Sequence, residues 1–122
     1  MGRRPRDDRR GRLQSGGTDI EAWTEASDGR FFLRARGTGE PTTPVRIEWT
    51  DPEWSVVAVR SVPPAILGVD RGRAHIAWTR SGQFTLELEL QAGQANAGSG
   101  DVRLLLGDAD EPGPSLTLEV VP

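Results

Sequence analysis

The segment Phe84-Thr85-Leu86-Glu87-Leu88-Glu89-Leu90-Gln91 alternates apolar and polar side chains over eight consecutive residues. A strand turns successive side chains to opposite faces, whereas a helix brings every third or fourth residue to one side, so this run fits a strand with one dry face and one wet face. Such a strand needs a second layer to cover Phe84, Leu86, Leu88 and Leu90. A chain of 122 residues has room for one core of this kind.

The rest of the chain is consistent with that demand. Short β-prone runs recur about every ten residues between turn signals, the spacing of a sandwich or barrel. Besides Phe84–Gln91 the expected strands are Ile20–Glu25, Arg30–Arg36, Val45–Trp49, Trp54–Arg60, Arg73–Thr79, Val102–Leu106 and Leu116–Val121. The first two flank Asp28-Gly29, a dipeptide suited to the positive φ angles of a type I′ hairpin turn. Trp54–Arg60 is dense in apolar residues and reads as a central strand. Ala65–Asp70 follows Pro63-Pro64 and reads as a crossing in which Ile66, Leu67 or Val69 plugs the sandwich edge. No run reads as an amphipathic helix longer than two turns. The fold class is therefore all-β: an immunoglobulin-like antiparallel β-sandwich of about seven to eight strands.

Charge divides the chain in two. Residues 1–17 hold six Arg against Asp7 and Asp8, a net of +4, which leaves −7 on residues 18–122 for the total of −3. With Pro5, four Gly and only Leu13 as an aliphatic residue after Met1, this leader lacks the apolar surface to offset its ordering entropy. The domain boundaries are accordingly a disordered arginine-rich leader over 1–17 and the sandwich over 18–122. Every basic residue is Arg, as codon usage in a GC-rich genome would give. No Cys is present, which removes disulfides, thiolate nucleophiles and Cys-based metal sites. No apolar run reaches the roughly 18 residues that span a bilayer, and no apolar segment follows the basic start, so the expected location is cytoplasmic, with no membrane partner.

The run Phe31-Phe32-Leu33-Arg34-Ala35-Arg36-Gly37-Thr38-Gly39, followed by Pro44-Val45-Arg46-Ile47-Glu48-Trp49, resembles the opening of bacterial immunoglobulin-like domains of the CARDB and NEW3 type. Val62-Pro63-Pro64-Ala65-Ile66-Leu67-Gly68-Val69-Asp70-Arg71-Gly72 is similar to their proline-led short strand and glycine turn. Arg36 stands where that family usually carries a corner Asn. The resemblance implies a sandwich used as a non-catalytic spacer or binding module, in proteins that are often extracellular.

Catalytic chemistry finds few parts. His75 is the only histidine and alternates opposite Ala74 and Ile76, toward solvent, and no Gly-x-Ser-x-Gly elbow is present. Gly37-Thr38-Gly39 lacks the third glycine and the helix of a phosphate loop. Neither an enzyme activity nor a cofactor is expected. The turn Asp108-Ala109-Asp110-Glu111 reads as a solvated loop, with Asp108, Asp110 and Glu111 as the alternative oxygen ligands for Ca²⁺.

Binding is the expected role. Trp49 and Trp78 follow the inward faces of their strands, Trp23 sits among Glu21 and Glu25 on a polar face, and Trp54 is left open between core and surface. The leader has the charge of a nucleic-acid arm, but the acidic body and Asp7-Asp8 point away from nucleic acid and toward contact with protein or with the chain itself. The candidate binding residues are Trp23, Trp54, Glu87, Glu89, Arg9 and Arg10. The expected function is a protein-interaction or scaffold module binding through the Phe84–Gln91 strand, by strand addition or a flat patch. The alternatives are a structural subunit of a larger assembly of phage or injection-particle type, and a glycan- or Ca²⁺-binding accessory domain.

Overall fold

The computed structural model describes residues 9–27, 30–41, 43–50, 54–91, 100–107 and 113–120. Among the described residues ten strands are present: β1 (Arg10–Ser15), β2 (Thr18–Ser27), β3 (Arg30–Gly39), β4 (Val45–Trp49), β5 (Ser55–Val62), β6 (Ala65–Asp70), β7 (Arg73–Trp78), β8 (Gly82–Gln91), β9 (Gly100–Leu106) and β10 (Ser115–Val120). They form two antiparallel five-stranded sheets, ordered β1-β2-β3-β8-β5 and β10-β9-β4-β7-β6. The protein is an all-β sandwich, with two strands more than the upper expectation of eight.

The alternation of β8 produces what its period demands. Phe84, Leu86, Leu88 and Leu90 are buried, and they pair across β3 with Gly37, Ala35, Leu33 and Phe31. From the other sheet Val45, Ile47, Ala74, Ile76, Val102, Leu104 and Leu118 close the core. The aliphatics are sparse, and tryptophan fills the remaining volume. Trp78 packs on Phe84 at a centroid separation of 4.2 Å, and Trp54 stacks on Phe31 at 4.7 Å. Trp49 Nε1 donates to the carbonyl of Trp54 at 3.2 Å. Trp49 and Trp78 thus lie where their alternation puts them, and Trp54, left open by the sequence, is a core residue only 2% exposed. The β2–β3 hairpin pairs to Ser27↔Arg30, the register that a two-residue Asp28-Gly29 turn requires; those two residues lie outside the described ones.

Several expectations are corrected. Composition predicts a disordered leader through Gly17, but β1 occupies Arg10–Ser15 and pairs with β2 from Ser15↔Thr18 to Arg10↔Trp23. Local features explain this. Gly16, at φ 59°, makes the two-residue turn that a β-branched or bulky residue would strain. Leu13, the single aliphatic, is buried opposite Ile20, and a Cβ at Gly11 would run into Leu116 of β10, so the glycine lets the two sheets close on that side. Residues 1–8 lie outside the described residues. Trp54–Arg60 is not central: β5 is an edge strand with a bulge between Val56 and Ala58, and its apolar density reflects that break in alternation. Ala65–Asp70 is not a plug but an edge strand with Ile66, Leu67 and Val69 exposed.

The two sides of the sandwich are closed to different degrees. Where β1 and β2 meet β10, Thr24 Oγ1 donates to the carbonyl of Glu119 at 2.8 Å and Gly11 nests on Leu116. On the opposite side β5 runs into β6 through Pro63 and Pro64, with Ser61 Oγ donating to the Pro63 carbonyl at 2.7 Å. Removing the ring of Trp54 opens a large cavity under Phe31, so Trp54→Ala is expected to cost about 3–5 kcal/mol. Urea denaturation, compared with the wild type at equal slope, measures it.

Candidate functional site

The outward face of the first sheet gathers most of the residues singled out in the sequence. Register places Arg10, Trp23, Arg34, Glu87 and Arg60 in one row across all five strands. The next row begins Arg12, Glu21, Arg36 and Thr85. Arginine on β1, β3 and β5 therefore alternates with carboxylates on β2 and β8, so each strand's polar face meets opposite charge on its neighbour. Cross-strand pairs are the unit in which a sheet is stabilised, and the directly opposed Arg12/Glu21, Glu21/Arg36, Arg34/Glu87 and Glu87/Arg60 carry opposite charge.

The contacts follow the pattern. Arg34 is the hub: its NH1 donates to Glu25 at 2.6 Å and its Nε to Glu87 at 3.2 Å. Glu87 also accepts from Arg60 NH1 at 2.9 Å. Arg36 bonds Glu21 at 3.0 Å through Nε, and Arg30 NH1 stands 3.3 Å from Glu89. Trp23 lies between two guanidiniums, with Arg10 5.6 Å and Arg36 5.5 Å from its ring, while its Nε1 donates to Glu25 at 3.2 Å. Cation–π attraction and this hydrogen bond hold the indole down on the sheet.

Arg12 and Asp19 make the most complete ion pair. Arg12 donates through Nε and NH2 to the two carboxylate oxygens, both at 2.7 Å, a bidentate geometry that suits a planar guanidinium. These hydrogen bonds hold the Asp19 carboxyl below the ordinary aspartate range, outweighing the opposing effect of desolvation, and raise Arg12 above its own.

Most charges on this face are thus paired, while Glu89 Oε2 is buried 3.3 Å from Arg30 NH1 without accepting a hydrogen bond among the described residues. A shallow groove of about 350 Å³ runs along it between Trp23 and Val62, with Thr85 and Leu86 among its lining and Arg34, Arg60 and Glu87 along its margins. Of the six candidate binding residues, Arg10, Trp23, Glu87 and Glu89 come together here. Glu89 is not solvated but only 7% exposed, with Arg30 as its ion-pair partner. Trp54 is in the core and leaves the set. Arg9 precedes β1, and its carbonyl accepts the Thr24 N–H at 2.8 Å, so its backbone belongs to the fold and not to a trailing arm. Asp108, Asp110 and Glu111 lie outside the described residues. His75 is exposed on the outward face of the other sheet, opposite Arg46 and Gly68.

Strand addition to Phe84–Gln91 is excluded by topology. β8 lies between β3 and β5 and pairs with both, so its ladder groups are already used. The edges are β1, β5, β10 and β6. β1 carries Arg10 and Arg12 and, with β2, meets β10 on the closed side; β5 is bulged. β6 has neither protection. Its residues Ala65-Ile66-Leu67-Gly68-Val69 carry no charge, and Asp70 ends the strand.

All five exposed large hydrophobics among the described residues lie on β5 and β6: Val57 (48%), Val62 (69%), Ile66 (65%), Leu67 (42%) and Val69 (54%). Leu67 and Val69 stand on the same face as their buried cross-strand partners Ile76 and Ala74. At the margin of the sheet that face is no longer covered. The sequence signal is the uncharged run Ala65–Val69 behind Pro63-Pro64, whose pattern reads equally as a crossing that plugs the sandwich edge.

Two outcomes test the electrostatics. Because Asp19 is depressed in the folded state, its contribution to stability is complete above the ordinary aspartate value of about 3.9 and is lost as pH falls through the lower folded value. An NMR titration of the Asp19 carboxyl should show a midpoint below that reference, and Arg12→Gln should return it. Glu87→Ala leaves Arg34 and Arg60 facing one another without their shared carboxylate. It should destabilise the fold by about 1 kcal/mol at low salt and less at about 1 M salt. Urea denaturation at the two ionic strengths checks both values.

The chain matches no protein-family model and no curated protein, so the geometry of its own surface carries the functional reading.

Proposed function

We propose that the protein is a non-catalytic interaction module that presents β6 as an open edge for pairing with an extended segment of protein. The observation that carries this is the confinement of the exposed large hydrophobics to β5 and β6, on the side where the sandwich is least closed.

An edge strand presents unpaired N–H and C=O groups and is a template for another strand unless charge, proline, a bulge or a covering element blocks it. Among the described residues β6 meets no such block over Ala65–Val69, and its flanking side chains offer apolar contact on both faces. Main-chain pairing supplies affinity in this mode, and alternate side chains supply selection. The resemblance to immunoglobulin-like spacer and binding domains points the same way.

The outward face of the first sheet supports the reading by contrast. Arg12, Arg34, Arg36 and Arg60 are paired there with Asp19, Glu21, Glu25 and Glu87, and a partner would have to displace those pairs to bind there. No helix among the described residues is long and apolar enough to cross a membrane.

Panning a phage-displayed library of random extended peptides against the immobilised protein tests the proposal. The enriched peptides should be apolar at alternate positions and uncharged through the centre. They should lose binding to Leu67→Lys by at least about tenfold while keeping it for Trp23→Ala within about twofold. Peptides that bind Leu67→Lys unchanged, or that lose binding with Trp23→Ala, would overturn it.

A further inference from the structure

We infer that the segment β6 pairs with is β6 of a second copy, in an antiparallel register centred on Leu67, joining two five-stranded sheets into one of ten. This rests on the reading of β6 as a pairing edge and names its occupant.

A two-fold axis normal to the sheet is the symmetry that sets a strand antiparallel to its own copy while keeping each sheet's inward and outward faces aligned. Directly opposed residues then lie on the same face, so residue numbers in a pair must sum to an even value. Only registers centred on a residue qualify, and the strand is short enough to compare the two central ones.

Centred on Leu67, the strand is complementary to itself. Leu67 meets Leu67 of the second copy on the inward face, and Ala65, the smallest side chain there, meets Val69. On the outward face Ile66, 65% exposed, meets Gly68, which has no side chain. Asp70 falls opposite Pro64, which has no N–H to offer, so the ladder ends where the charge begins. Each large residue thus faces a small one, or its own equivalent on the axis.

Centring on Gly68 is poorer. It sets Gly68 against Gly68, leaving a gap on the axis, and places the Asp70 carboxylate against Ile66.

Charge favours the same arrangement. Parallel alignment would bring the two Asp70 side chains side by side, whereas the Leu67-centred register holds them about 20 Å apart along the strands, beyond the screening length at physiological salt. Each Asp70 comes instead opposite the uncharged Pro64 of the second copy. The association is closed, because each copy spends the edge that among the described residues carries neither charge nor bulge.

Sedimentation equilibrium of the full chain over a wide concentration range tests the inference, and three variants locate the interface. The wild type should show a monomer–dimer equilibrium with no higher species. Leu67→Lys opposes two like charges on the axis and should raise the dimer dissociation constant by about 100-fold. Gly68→Val should raise it by about tenfold by filling the space that Ile66 of the second copy needs. In the monomer a side chain at position 68 is tolerated, since its Cβ would lie 4.0 Å from that of His75. The unfolding midpoint of Gly68→Val below the dissociation constant should therefore be unchanged or higher, so that loss of dimer is not loss of fold. Adding Ile66→Ala to Gly68→Val should restore most of the affinity.

A wild type that stays monomeric at all concentrations overturns the second copy as occupant. If such a monomer still binds peptides selected through Leu67, the edge reading survives without it; if it binds none, both fall. A dimer indifferent to Leu67→Lys overturns the interface, and one sensitive to Leu67→Lys but indifferent to Gly68→Val overturns the register.

Discussion

Burial of one face of each sheet against the other is the constraint from which the rest of this structure follows. The core runs from Phe31, Leu33 and Leu88 in one layer to Ile47, Ile76 and Leu104 in the other, and each of these is 1% exposed or less. To keep such residues inward, each strand must alternate, and its remaining residues must form an outward face that water tolerates. In the first sheet that face is built from arginine and carboxylate on alternate strands. The acidic body and the basic β1 are thereby two parts of one pairing pattern: Arg12 of β1 binds Asp19 of β2, and Arg10 lies over Trp23.

Two-layer burial satisfies faces but not edges. Among the described residues, ten strands in two open sheets leave four edge strands, each with backbone donors and acceptors that have no partner in the sheet. The chain brings two of these edges, β1 and β10, together on one side, where the glycine at position 11 and the Thr24 hydroxyl join the layers. It bulges a third, β5. The fourth, β6, is left straight, uncharged through Val69 and flanked by exposed aliphatics. An edge of that kind is an aggregation hazard unless it has a designated partner, and the proposed pairing of β6 with its own copy uses it up in a closed dimer.

Much of the layered fold was legible because period-two alternation is a local property of sequence. Val45–Trp49 was placed to the residue, Phe84–Gln91 falls within β8, and the faces of Trp49, Trp78 and Trp23 followed from their neighbours. What was illegible depended on which strands lie side by side. Trp54–Arg60 looked central because it is apolar, yet a bulged edge strand facing the core has the same composition. Glu89 sits on a polar face by pattern, but only the positions of Arg30 and its neighbours reveal that it is buried there. The leader hides its strand for another reason. Its composition, averaged over seventeen residues, conceals a Gly16-Gly17 hairpin and a single Leu13 that suffice to add β1 to a sheet already formed.

The status of β6 was the least legible feature of all, since an uncharged run between prolines and a glycine turn is equally what a buried crossing looks like. Hydrogen exchange at β6 follows its ladder groups directly. Alternate amides of an edge strand bond to the neighbouring strand while the others point away from it. If β6 pairs with a second copy, the amides that point away from β7 should exchange freely in dilute protein and become protected as concentration rises. In Leu67→Lys they should stay unprotected throughout. Exchange of those amides at one rate over the whole concentration range would contradict the account.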